Sequence, residues 1–73
     1  MLYERKKAML GKEFKVVSVW KIGNCKMKKG DLLKVIDYGS GMACDYVRFE
    51  NKRIKTATFR TGTSYFLNCT TNA

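Results

Sequence analysis

CKMKKGDLLKVID, residues 25–37, sets Lys26, Lys28, Lys29 and Lys34 around Gly30 and then enters an apolar, strand-like run. The Gly30-Asp31 step suits a chain bend, because glycine relaxes the backbone and aspartate offers it a side-chain acceptor. Beyond the bend, Leu32–Tyr38 (LLKVIDY) reads as a strand with Leu33 and Val35 inward, and Lys34, Ile36 and Tyr38 on the other face. The bend itself has no use for Lys26, Lys28 or Lys29, so these cations are free to meet a partner.

On either side of this stretch the chain reads as short strands punctuated by glycine. Phe14–Trp20 (FKVVSVW) is rich in β-branched and aromatic residues, with Phe14, Val16 and Trp20 on one face and Val17 and Val19 on the other. Lys21–Gly30 reads as an irregular loop. Gly39-Ser40-Gly41 is a turn by composition. Met42–Glu50 then alternates, with Ala43, Val47 and Phe49 opposite Tyr46, Arg48 and Glu50. Asn51-Lys52 is expected to form a tight hairpin into a strand over Arg53–Arg60, with Ile54, Thr56 and Thr58 opposite Lys55 and Phe59. Gly62 breaks the chain, and Ser64–Cys69 closes it as a last short strand. Residues 1–10 form a basic arm or short helix, and residues 11–73 a single small domain.

The expected class is mainly β. Five short strands joined by one long early loop and then tight turns suggest a small closed barrel, since closure removes exposed strand edges. The order of a strand, a long loop, KKGDLLKVID, a turn, CDYVRFEN, a hairpin and a closing strand resembles the SH3-like barrel. KKGDLLKVIDYGSG is also similar to the first half of the KOW variety found in ribosome- and transcription-associated proteins. The resemblance covers residues 11–69 and implies a five-stranded SH3-like barrel. It does not extend to proline-rich peptide binding: the chain has one Trp, no Pro and no ALYDY-like stretch.

Composition narrows the function. Fifteen Lys and Arg against six Asp and Glu give a net charge of +9 in 73 residues, beyond the roughly 2 to 8 usual for a small domain. A surplus of that size points to an anionic partner: nucleic acid, a nucleoprotein complex or an acidic protein face. An apolar share of 45% with one Trp, four Tyr and four Phe fits a folded domain, not a basic disordered tail. No apolar run approaches the about 20 residues that span a bilayer, and a cytoplasmic protein is expected. The three cysteines are odd in number and widely spaced, and no histidine is present. Neither a disulfide framework nor a metal site is expected, and no cofactor.

Catalysis has little to work with. Without histidine, acid–base chemistry would fall to isolated carboxylates, and a cysteine nucleophile would lack its usual base. A non-enzymatic binding module is the expectation. Its candidate nucleic-acid-binding residues, for DNA or RNA, are Lys26, Lys28, Lys29, Lys34, Tyr46, Arg48, Lys52, Arg53, Lys55 and Arg60. They pair cations for phosphates with an aromatic ring on which a base can stack. The alternative is a small phage-type protein that binds and modulates one host protein. Its apolar anchors would be Trp20, Ile22, Met27 and Met42, joined by Tyr3 and Arg5 of the arm; Trp, Met and Arg are enriched at interface centres. In that reading the arm Leu2–Leu10 could dock on the partner or pair two chains as a homodimer. Membrane-surface binding through the arm is disfavoured by its narrow apolar face.

Overall fold

The bend at Lys28-Lys29-Gly30-Asp31 is a type II turn. The Asp31 amide donates to the Lys28 carbonyl at 3.0 Å, and Gly30, at the position where this turn needs positive φ, has φ +93°. The computed structural model describes residues 7–39 and 45–73. The expectations for Leu2, Tyr3, Arg5, Met42 and Ala43 lie outside the described residues.

Among the described residues, seven strands form two antiparallel sheets. β1 (Glu13–Val16), β2 (Trp20–Ile22), β3 (Cys25–Met27), β4 (Leu32–Tyr38), β5 (Tyr46–Asn51) and β6 (Thr58–Gly62) precede helix α1 (Thr63–Cys69) and β7 (Thr70–Asn72). The larger sheet has the order β6-β5-β4-β1-β7, and β2 pairs with β3 in a sheet of two. The mainly β class expected from the sequence is the one observed. β6 and β7 occupy opposite edges of the larger sheet, and α1 joins them directly.

Several local expectations are corrected. The run Phe14–Trp20 is not one strand: β1 ends at Val16, and the amides of Val17 and Ser18 both turn to the Cys69 carbonyl. Lys21–Gly30 is not an irregular loop but is mostly a hairpin, with Trp20 opposite Met27, Lys21 opposite Lys26 and Ile22 opposite Cys25. Gly23 has φ +59° while Asn24 keeps a negative φ, the pattern of the II′ turn that suits the twist of a two-residue hairpin. The expected strand Arg53–Arg60 begins only at Thr58, after a turn in which the Ile54 amide donates to the Asn51 carbonyl. That turn resets the alternation, so Ile54 and Phe59 both pack on the core.

Ser64–Cys69 is helical, and the closing strand is Thr70–Asn72. Thr63, Phe66 and Cys69 are the buried residues of α1, a spacing of three that suits a helix and not a strand. At seven residues it would not persist alone. Phe66 anchors it, with its ring 5.3 Å from Phe14 and 5.1 Å from Phe49.

β4 carries a bulge. Val35 faces Phe49, but Asp37 faces Arg48, so Ile36 is the extra residue. One inserted residue bends a strand and reverses the faces of the residues beyond it. Tyr38 therefore lies opposite the buried Val47 and packs against the core, whereas the sequence alternation put it on the outer face.

The core gathers Phe14, Val16, Leu33, Val35, Val47, Phe49, Phe59 and Phe66 from the large sheet and helix, under a cover of Trp20 and Met27 from the hairpin. Phe49 is central, with ring centroids 6.2 Å from Trp20 and 5.8 Å from Phe59. Residues 7–9 are helical, and Met9 is buried. The chain after them is held to β4 by the Gly11 amide on the Val35 carbonyl and the Val35 amide on the Lys12 carbonyl.

Phe49→Ala is expected to cost about 3–5 kcal/mol, a large part of the roughly 4–11 kcal/mol typical of a chain this size; urea unfolding followed by Trp20 fluorescence measures it. The Thr63 hydroxyl is buried with no hydrogen-bond partner among the described residues. Exchanging an orphaned buried hydroxyl for a methyl removes a desolvation cost, so Thr63→Val is expected to raise stability by about 1 kcal/mol. A loss in the same unfolding measurement would contradict that assignment.

Candidate functional site

Asp31 is the hub of the polar structure around the hairpin. Arg53 grips its carboxylate through Nε, at 3.0 Å from Oδ1 and 3.1 Å from Oδ2, and through Nη2, at 2.9 Å from Oδ2. The Lys28 amide and the Asn51 amide nitrogen also donate to Oδ2, at 2.9 and 3.0 Å. Asn51 is fully buried at the end of β5; its nitrogen lies 3.3 Å from the Met27 sulfur and its oxygen accepts the Arg53 amide at 2.8 Å. Arg53 Nη2 reaches on to the Lys26 carbonyl at 2.7 Å. Three chain segments (β3, the type II turn and the end of β5) are thereby joined at one carboxylate.

Burial by itself would push this carboxyl up. The hydrogen bonds from Arg53, Asn51 and the Lys28 amide, with the Arg53 charge, outweigh it and hold the carboxyl at about 2 instead of 3.8. The same contact with Asp31 raises the Arg53 guanidinium. Arg53, expected from the sequence to hold phosphate, thus has two of its three nitrogens engaged within the protein.

Among the described residues, the remaining cations near the hub have no such carboxylate partner. Lys21 and Lys26 stand directly across the hairpin from one another, both exposed, and like charges in that register repel. Lys28 and Lys29 come next, in the type II turn, also exposed. Asp31, the one carboxylate in residues 20–31, is taken by Arg53. Lys21 was missed by sequence reasoning. Its signal was the Gly23-Asn24 pair, a hairpin turn that brings residues 21 and 26 together.

The other candidates lie along the outer face of the large sheet. Lys34 faces Glu13 on one side and Glu50 on the other, and Lys52 forms an ion pair with Glu13. Lys34, Glu50, Lys52, Ile54 and Lys55 line an open groove of about 480 Å³. Further along β5, Arg48 sits between Asp37 and Arg60 in register, and the Arg60 guanidinium lies over the Tyr46 ring, 5.1 Å from its centroid. The ten nucleic-acid candidates therefore divide into a hairpin group (Lys26, Lys28, Lys29 and Arg53) and an outer-face group (Lys34, Tyr46, Arg48, Lys52, Lys55 and Arg60).

The protein-anchor candidates fare differently. Trp20 and Met27 are buried, at 6% and 0% exposure, and belong to the core. Their hairpin turns its apolar face inward to cover Phe49, which removes both from any surface contact. Ile22 is half-buried against the core. The exposed apolar side chains include Val17, Val19 and Tyr65 instead, and Tyr65 packs edge-on against Trp20. Among the described residues, no three His, Cys, Asp or Glu side chains cluster to hold a metal ion, and no helix is long and apolar enough to cross a membrane.

A carboxyl held at about 2 in the fold and near 3.8 in the unfolded chain contributes stability in full above about pH 4 and loses it as pH falls toward 2. With allowance for the partly exposed Arg53, the contribution is roughly 1–2 kcal/mol. The stability difference between the native protein and Asp31→Asn is expected to be flat above pH 5 and to shrink toward zero at pH 2. Urea titrations across that range measure it; a difference that does not vary with pH would show that the carboxylate charge is not what holds Arg53.

Comparison with known protein families, curated proteins and solved structures finds no match to this chain.

Proposed function

We propose that the protein is a non-enzymatic module that binds nucleic acid through its basic surface. The observation that carries this reading is the charge of the β2–β3 hairpin and its turn, whose lysines have no ion pair among the described residues. Lys21, Lys26, Lys28 and Lys29 are exposed together, and the carboxylate beside them is committed to Arg53. A fold that sets Lys21 against Lys26 bears a repulsion that a phosphate backbone would relieve.

The strand order supports the kinship to an SH3-like fold that the sequence suggested. The chain leaves β1, makes the hairpin excursion, runs antiparallel through β4, β5 and β6, and returns in β7 to pair with β1. β6 and β7 remain unpaired with each other, so the proposed kinship is with the topology and not with a closed barrel.

A second reading is favoured by Val19 and Tyr65, at 51% and 52% exposure. Large apolar side chains left in solvent, one next to Trp20 in the chain and one packed on its ring, suit contact with a host protein. Affinity capture after nuclease treatment separates the two: a partner retained without nucleic acid supports the second reading.

Binding to labelled DNA or RNA is expected to weaken steeply with salt. If the four lysines each neutralise one phosphate, log K against log salt has a slope of about −3.6 on duplex and −2.8 on single strands. Changing Lys26 and Lys28 to glutamate is expected to flatten that slope by about 2 and to lower affinity at least ten-fold. A slope near zero, or one indifferent to both substitutions, would remove the proposal.

A further inference from the structure

We infer that the outer face of β5 is a single-strand track, with the Arg60–Tyr46 stack as a platform for one base. This rests on the nucleic-acid reading above and narrows it to unpaired strands. Tyr46 is half-buried, which fixes its ring against the sheet. Its register partner is Gly62, which has no side chain to stand beside that ring. Arg60, two residues earlier on β6, crosses the diagonal and lies over the ring. A guanidinium held over an aromatic ring is a flat, cationic surface, and Arg60 is exposed to solvent. Nucleobases stack on such surfaces whatever their sequence.

The surroundings supply the phosphate contacts. Arg48 lies directly opposite Arg60. Asp37 flanks Arg48 on its far side, but Arg60 has no carboxylate partner among the described residues. Two guanidiniums in register with one carboxylate leave a positive charge beside the platform, where the phosphate of a stacked nucleotide would sit. From Arg48 the same face continues past the register pair Lys34–Glu50 to the groove lined by Lys34, Lys52 and Lys55. Tyr46 to Lys52 spans six residues of extended chain, about 20 Å, enough for a few nucleotides laid along the strand. A duplex could use the lysines but not the platform, because its bases are already stacked on one another.

The test compares a labelled twelve-residue oligothymidylate with a duplex of the same length, by fluorescence anisotropy at fixed salt. Single strand is expected to bind at least ten-fold tighter. Arg60→Lys keeps the charge on an exposed strand position and removes the planar cap. It is expected to weaken single-strand binding roughly ten-fold and to leave duplex binding within two-fold. Tyr46→Leu is expected to match it, with circular dichroism to verify the fold. Lys28→Gln and Lys29→Gln together are expected to weaken both ligands alike.

Equal affinity for the two ligands, or single-strand binding unmoved by Arg60→Lys, would overturn the platform while leaving salt-dependent binding through the hairpin intact. Equal binding of heparin and oligothymidylate would also overturn it, because heparin offers charge without bases. Failure to bind either nucleic acid would overturn this inference and the reading on which it rests.

Discussion

The carboxylate of Asp31 is the constraint on which both the shape and the surface of this protein depend. It lies at the exit of the type II turn that sends the chain from the hairpin into the main sheet. Arg53, Asn51 and the Lys28 amide all donate to it, so the turn is fixed against the end of β5. A small domain has few apolar contacts to spare, and here the hairpin must be held down for Trp20 and Met27 to cover Phe49. The same contact removes the local negative charge from four nearby lysines. Folding and surface potential are set by one group.

That arrangement gives the molecule two unlike basic regions. Around the hairpin the charge is point-like, carried by exposed lysine side chains without ion pairs among the described residues. On β5 and β6 it is planar and ordered, carried by Arg48 and by Arg60 over Tyr46. Lysine answers to the density of anions and arginine to their geometry. Under the proposed nucleic-acid reading, one region would grip the polyanion loosely and the other would orient it.

The sequence was legible where a residue's neighbours in the chain decide its place. The bend at Gly30-Asp31, the inward Leu33 and Val35, and the alternation of Val47 and Phe49 come from local pattern alone. It was misread where a distant residue decides. Trp20 looked available for a partner because nothing in its own segment says that Phe49 lies beneath it. Arg53 looked like a phosphate ligand because its tie to Asp31 spans 22 positions. Ser64–Cys69 looked extended because it mixes β-formers with polar residues, yet the spacing of Thr63, Phe66 and Cys69 already matched a helix. The hairpin at Gly23-Asn24 was likewise visible in its turn residues. The outer-face stack was half legible: Tyr46, Arg48 and Arg60 were named, but only the β5–β6 register sets them side by side.

The bulge at Ile36 has a wider meaning for how this chain tolerates change. β4 is written in two reading frames, one for Leu33 and Val35 and another for Asp37 and Tyr38, and Ile36 is the letter that separates them. Remove that letter and the ladder closes up, because the partners of Val35 and Asp37, Phe49 and Arg48, are already adjacent on β5. Alternation would then be unbroken, with Asp37 still outside beside Arg48 and Tyr38 still inside beside Val47. Deletion at Ile36 would thus remove the bend and keep both faces. The bulge is therefore the place where β4 can lose a residue without exchanging its faces.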